Sequence, residues 1–310
     1  MILCIGTTPA AQRVMIFREL AINQVNRAAT TLDGAAGKAV NVAKVLHTLG
    51  EQPLATGFLG TARGEEIRAI LTGLGLDTDF VSVAAPARQC ITVLDQAAHT
   101  VTELVEESRP VPSADYELLA GKIQARVAGC QAIIMSGSLT PGGPVDFYRR
   151  CTEIGSAAGA MTVLDAQGRP LTAALSARPD LIKPNRAELG LTVGRDLRDL
   201  AAVCEAMREV RERGAARVVV TAGHDSILAL DGAALWRIQP PCIQPVNPIG
   251  SGDAFTAALT WRLLRGDGLG RACQWAAAAG AANALTPMPG ELDRRQVDLL
   301  LPSTGLEQIQ

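Results

Sequence analysis

The sequence predicts an α/β protein, with a mostly parallel central sheet, helices on both faces and a small β-sheet lid. Three observations carry that expectation. Short apolar, β-branched runs alternate with helix-spaced patterns along most of the 310 residues, as parallel strands covered on both faces require. Two stretches, about 14–32 and 80–105, read as strands with no helix between them, which suggests a separate β-layer. Hydrophobic residues at 48% against 19% charged give a chain able to bury a sizeable core. The expected organisation is a single domain over 1–310, with the two β-stretches as its lid.

Element by element, strands are expected at "ILCIG" (2–6), "LATGFLG" (54–60), "AIIMSG" (132–137), "MTVLDA" (161–166), "DLIK" (180–183), "RVVVTAG" (217–223) and "SILAL" (226–230). Helices are expected near 40–49, 64–74, 114–128, 144–159, 196–213, 252–265, 269–285 and 292–301. Gly50 supplies a stop for the first helix, and Pro144 stands where a helix can begin. "EESRPVPSAD" (106–115) reads as a return loop from the lid.

Composition excludes several function classes. A net charge of -2 and 3% aromatic residues offer neither a basic footprint nor stacking platforms for nucleic acid. The apolar stretch 275–285 is far short of the ~20 residues that span a bilayer, and "MILCIGTTPA" reads as a buried strand, not an export signal. Seven scattered cysteines with no C-x-x-C spacing point to reduced thiols and a cytoplasmic protein, not a disulfide framework or a zinc site.

Four stretches carry candidate chemistry. "NPIGSGDAF" (247–255) opens a helix, where backbone N–H groups lack partners and the macrodipole is positive. Gly250, Ser251 and Gly252 could hold a phosphate there while Asp253 acts as general base, a role worth roughly 10²–10⁴ in rate. An aspartate at a helix start is also an ordinary cap. "LIKPNRAEL" (181–189) ends a strand in Lys183 and sets Asn185 and Glu188 three residues apart, suited to magnesium and phosphate oxygens but equally a near capping box. "DGAAGKAVN" (33–41) places Gly37, Lys38 and Asn41 at a helix entrance. It is not a P-loop, which needs four residues between its glycines and a hydroxyl after the lysine. Arg88 begins a lid strand and could hold a phosphate bidentately.

Together, "NQVNR" (23–27), "AGKAVNVAKVLHTLG" (36–50), "SGSLTPGGPVDFY" (136–148), "LDAQGRPL" (164–171), "LIKPNRAEL", "VVVTAGHDS" (218–226) and "NPIGSGDAF" resemble, in order, the blocks of the PfkB or ribokinase-like carbohydrate kinases. The subgroup resembled is that of 1-phosphofructokinase and tagatose-6-phosphate kinase. The resemblance implies ATP-dependent phosphorylation of a sugar or sugar phosphate with magnesium, and a β-lid that often serves as a homodimer interface. It implies Asp253 as base, Gly250, Ser251 and Gly252 as anion hole, and Lys183, Asn185, Thr221, Gly223 and Asn283 on the ATP side. Glu188 would serve magnesium, with Gln12, Gly37, Lys38, Asn41 and Arg88 on the acceptor side. Lys38 and Arg88 are then candidates for a phosphate already on the substrate. The chain departs from the subgroup at Gln12, where an aspartate is usual, and at Ala36, Ala39, Cys90, Thr92 and Pro248. Losing a charged hydrogen bond to a sugar hydroxyl costs roughly 1–3 kcal/mol, enough to change which acceptor wins. A kinase for an unphosphorylated sugar or a nucleoside, or a non-catalytic sugar-phosphate sensor, are the alternatives.

Overall fold

A computed structural model describes residues 1–310. The chain begins with β1 (Ile2–Gly6), β2 (Ala10–Phe17) and β3 (Thr30–Ala36), followed by α1 (Lys38–Thr48), β4 (Pro53–Gly60) and α2 (Thr61–Gly73). Four strands follow, β5 (Asp77–Thr78), β6 (Val81–Val83), β7 (Arg88–Asp95) and β8 (Thr100–Val105), then α3 (Ser113–Arg126), β9 (Ala132–Ser136) and α4 (Phe147–Ala157). Next come β10 (Met161–Asp165), α5 (Gly168–Ala174), β11 (Leu181–Ile182), α6 (Arg186–Val193), α7 (Leu200–Glu212) and β12 (Arg217–Val220). The chain finishes with β13 (Ile227–Asp231), β14 (Ala234–Gln239), α8 (Ser251–Leu263), α9 (Leu269–Ala284), α10 (Arg294–Leu300) and β15 (Gly305–Gln308).

The main sheet has the order β15-β14-β13-β12-β11-β10-β9-β1-β4-β5, with β6 also on β4. Pairing is parallel from β4 through β1, β9, β10 and β11 to β12, and antiparallel from β12 to β15. Strand alternation sorts the core into two layers. Ile2 and Cys4 point into one apolar cluster with α1, α8 and α9, while Leu3 and Ile5 point into the other with α3, α4 and α7. Each such Leu or Ile contributes about 1.5–3 kcal/mol on burial, so a one-residue slip of β1 would reverse both layers.

The lid is a four-stranded sheet of order β3-β2-β7-β8. Its extent corrects the sequence expectation. The lid starts at Ala10, before residue 14, and residues 18–29 form a loop in which the Asn26 side chain binds both backbone groups of Ala21. At the other end, β5 and β6 belong to the edge of the main sheet, on β4, so the second lid segment begins at Arg88. The short α5 and α6 and the outer strands β14 and β15 were not anticipated as elements.

Two glycines fix how α1 and α8 enter the site. Gly37 (φ +114) precedes α1, where a Cβ would come within 2.8 Å of Pro9 Cα. Gly250 (φ +85) precedes α8, where a Cβ would meet Gly290 N at 2.9 Å. Both turns need left-handed backbone and both lack room for a side chain. Neither helix start carries a side-chain cap.

Candidate functional site

At the C-terminal ends of the parallel strands, where ligands of open α/β sheets bind, a cleft of about 330 Å³ opens between the sheet and the lid. It gathers Gln12, Gly37, Lys38, Asn41, Arg88, Lys183, Asn185, Glu188, Thr221, Gly250, Gly252 and Asp253 from across the chain. Ser251, Gly223 and Asn283 do not line it.

Asp253 lies in the first turn of α8 and is 6% exposed. One carboxylate oxygen accepts a 2.7 Å hydrogen bond from Asn41 Nδ2. Burial pushes its pKa up to about 6; Lys38 and the Asn41 bond pull it down, while Asp165 pushes it further up. A buried carboxylate poised near neutrality suits a general base. Around it, the helix start is half open. Ser251 N and Asp253 N turn back onto Pro248 O (3.2 Å) and Gly250 O (3.1 Å), whereas Gly250 N and Gly252 N donate to no protein acceptor. The donors this turn leaves free are therefore the two glycine amides, a narrower set than all four residues of the turn. Helix α9 packs so close here that a Cβ on Gly280 would meet Ser251 O at 3.0 Å, which leaves the Ser251 hydroxyl buried and without a partner.

Asp165, at the end of β10, is the centre of the site's charge and was not singled out from sequence. It is 1% exposed. Its Oδ1 lies 3.3 Å from Lys38 Nζ and its Oδ2 3.3 Å from Lys183 Nζ, with the Thr256 hydroxyl at 3.2 Å. Burial raises its pKa, but the two ammonium groups outweigh burial and hold it below the ordinary carboxylate value. Asp165 in turn is the main reason the Lys38 ammonium is stabilised far above an ordinary lysine.

Lys38 also lies 3.3 Å from Glu188 Oε1. It therefore sits between two carboxylates while still lining the cleft, 38% exposed, together with Gln12 and Arg88. Lys183 is buried, and a Cβ on Gly252 would lie 3.9 Å from its ammonium, so it stands beside the open amides. The capping box at α6 is formed in full: Asn185 Oδ1 accepts from Glu188 N and Glu188 Oε2 accepts from Asn185 N. The capping box uses only one carboxylate oxygen of Glu188, and Oε1 remains directed at Lys38.

Thr221 lies beside Asn185 through a parallel bridge. It opens into a second cavity of about 1030 Å³ that Gly223, Arg186 and the exposed Leu191 line. Asn283, expected near adenine, is fully buried, and its amide is engaged by backbone: it donates to Ile249 O (3.0 Å) and accepts from Gly290 N (2.8 Å). Its place is behind the helix start, holding two loops together.

The lid supplies the far wall. Gln12 Nε2 donates to Thr92 Oγ1 at 2.9 Å and to Arg13 O at 3.3 Å, so its amide hydrogens are engaged inside the lid and only its carbonyl oxygen can meet a ligand. Arg88 donates from Nε to Thr8 O and faces the cleft with Cys90 and Glu103. Glu103 is a second residue the sequence did not flag. Burial raises its carboxyl pKa and Arg88 opposes the rise.

Open amides, paired lysines, an aspartate held firmly ionised and another with its pKa raised to about 6 at a helix start form an arrangement suited to receiving phosphate and removing a proton from an alcohol. Solved structures share the architecture over essentially the whole chain. A Staphylococcus aureus protein provisionally named a phosphofructokinase is 26% identical, covering 100% of this chain and 99% of that one, with TM-score 0.81. Phosphofructokinase-2 of Escherichia coli, in complex with substrates and products, is 24% identical over 97% and 98%, with TM-score 0.88. A Thermotoga maritima protein described as a possible 1-phosphofructokinase is 19% identical over 100% of both chains, with TM-score 0.92. The model of the pfkB family carbohydrate kinases matches residues 1–292, and the chain belongs to that family.

Proposed function

We propose that this protein transfers the γ-phosphoryl group of ATP to a hydroxyl of a ketohexose phosphate or a related sugar phosphate, with Asp253 as base. The observation that carries the reading is the pairing of a buried, hydrogen-bonded Asp253 with the open amides of Gly250 and Gly252 and the ammonium of Lys183. Asp253 receives the proton of the attacking hydroxyl. The two amides and Lys183 face the charge that develops on the transferring group, at no reorganisation cost. Asn185, Thr221 and Gly223 border the route along which the nucleotide would extend into the larger cavity. At the lid, Arg88 is the cation that faces the cleft and could take a phosphate already on the acceptor, opposite Lys38, which is paired with Asp165 and Glu188. Escherichia coli phosphofructokinase-2, which has this fold, has been seen with fructose-6-phosphate.

No three acidic, histidine or cysteine side chains converge to cage a metal. That donor set fits magnesium as an ion carried by the nucleotide, which keeps its waters and takes one or two carboxylates with phosphate oxygens. Glu188 would hold it; bound there, the ion would neutralise charge on the phosphates. The lid leaves Ile22, Val25, Leu104 and Val105 exposed, which supports a homodimer through this sheet; a monomeric mass at micromolar concentration would remove that assignment. No helix is long and apolar enough to cross a membrane.

The test is ATP consumption against a panel of ketohexose phosphates, free sugars and nucleosides, with Asp253→Asn alongside. Turnover with a phosphorylated ketohexose, lost in the variant, is the expected result. Undiminished turnover by Asp253→Asn would overturn the mechanism, and acceptor binding without turnover across the panel would point to a sensor.

A further inference from the structure

We propose that Lys44 is a positioning residue for phosphoryl transfer: its buried ammonium fixes the Pro289–Gly290 segment that forms the rear wall of the Asp253 site. The inference rests on the kinase reading above and adds a residue to it.

Lys44 lies on α1 among Val42, Ala43, Val45 and Leu46 and is 6% exposed, a rare place for a lysine. Its Nζ donates to Pro289 O at 2.7 Å and reaches Ala35 O at 3.5 Å. The nearest carboxylate is that of Glu291, 3.8 Å away and half exposed. Burial lowers the lysine pKa, and Glu291 opposes this only in part. Desolvating an ammonium for backbone carbonyls and one distant carboxylate is costly, and an apolar residue would suit this helix face better. The groups it grips give it a use.

Gly290 is pressed against Asn41, with room for no side chain: a Cβ there would come within 2.8 Å of Asn41 Cα. Gly250 rests on the same segment, its own Cβ position 2.9 Å from Gly290 N. Asn283 ties Ile249 to Gly290 from behind. Lys44 thus holds Pro289, Pro289 carries Gly290, and Gly290 braces both the amide donor to Asp253 and the turn that carries the open amides. At its other contact, Ala35 lies on β3 two residues before Gly37, so one ammonium joins the root of the lid to the phosphoryl site. A shift of the wall of about 1 Å is enough to lower turnover on the order of 10²-fold.

A role in holding the fold alone would lower melting temperature without separating kcat from KM. The experiment compares Lys44→Met, Lys44→Arg and Lys44→Ala by steady-state kinetics and thermal melting on the full chain. Lys44→Met should lower kcat at least tenfold, measured well below its melting temperature, with the KM for ATP within about threefold of the parent. Lys44→Arg should recover most of that loss. Ethylamine, used as a soluble ammonium on Lys44→Ala, should raise kcat several-fold while leaving Asp253→Asn unchanged. Parental kcat in Lys44→Met, or a loss in all three variants that follows melting temperature and responds to neither arginine nor ethylamine, would overturn the proposal. If Asp253→Asn turns over as the parent does, it is the catalytic reading that fails, whatever Lys44 does.

Discussion

Asp165 and Asp253 share one cleft and are almost equally buried, 1% and 6% exposed, yet their surroundings send them in opposite directions. Asp165 faces two ammonium groups and the Thr256 hydroxyl, and remains ionised below the ordinary carboxylate range. Asp253 has a single amide donor, and burial carries it to about 6. The same side chain is therefore held as a fixed anion at one place and left free to exchange a proton near pH 6 at the other, with neighbours deciding which. Lys38 links them, since it pairs with Asp165 and lowers the pKa of Asp253.

This contrast makes the two aspartates separable by mutation. The largest effect is on turnover: Asp253→Asn should lower kcat by roughly 10²–10⁴ with the KM for ATP little changed, because a general base is lost but the amides and Lys183 remain. A comparable fall in ATP affinity would break the assignment of roles. Stability should then move in opposite senses. Asp165→Asn leaves the buried Lys183 ammonium without its counter-charge, a change that costs about 3–5 kcal/mol. Asp253→Asn should stabilise. For a carboxyl raised from 3.8 to about 6 in the fold, the penalty of folding sets in as pH rises through 3.8 and is complete above 6, where it amounts to about 3 kcal/mol. The gain should thus appear in urea melts at pH 8 and vanish near pH 3. Equal destabilisation by both variants would mean that Asp253 is held as an anion like Asp165.

The pair also separates what was legible in the sequence from what was not. Asp253 announces itself locally, through glycines and an acid on the threshold of an amphipathic helix. Asp165 does not: "MTVLDA" is a strand with a polar end, and its meaning arises only when β10 falls beside β11 and α1 brings Lys38 from 127 residues away. Glu103 is hidden for the same reason, since only the pairing of β8 with β7 in the lid sheet brings it into the cleft lining. Lys44 read as part of a helical pattern and nothing more. The parallel core was legible because β1, β9, β10 and β12 are short, largely apolar and β-branched runs. The strand β15, with all four residues exposed, and the seven-residue α5 carry too little periodicity to be read. The lid was located but misjudged at its ends, because strand propensity alone cannot tell a polar loop such as 18–29 from the strands it joins.

The smallest expected effect probes the hydrogen bond that, beside the charges of Lys38 and Lys183, keeps the pKa of Asp253 from rising further. The Asn41 amide bonds to the charged carboxylate at 2.7 Å, so it favours the ionised form and lowers the pKa. With the parent protein, kcat/KM should fall on the acid side with a midpoint near 6. Asn41→Ala removes the donor, destabilises the anion, and should move that midpoint to higher pH by at least about one unit, given that such a bond is worth about 1.5–3 kcal/mol and a pKa unit 1.36 kcal/mol. At pH 8.5 both proteins hold Asp253 ionised, and their kcat values should converge; at pH 6 the variant should be several-fold slower. Asn41 also lines the acceptor end, so a rise in acceptor KM at every pH is compatible with this reading, whereas a midpoint that stays put or moves to lower pH is not. In that event the group titrating near 6 would be some carboxyl other than Asp253, and Glu103, also raised by burial and facing the same acceptor, would be the one to mutate next.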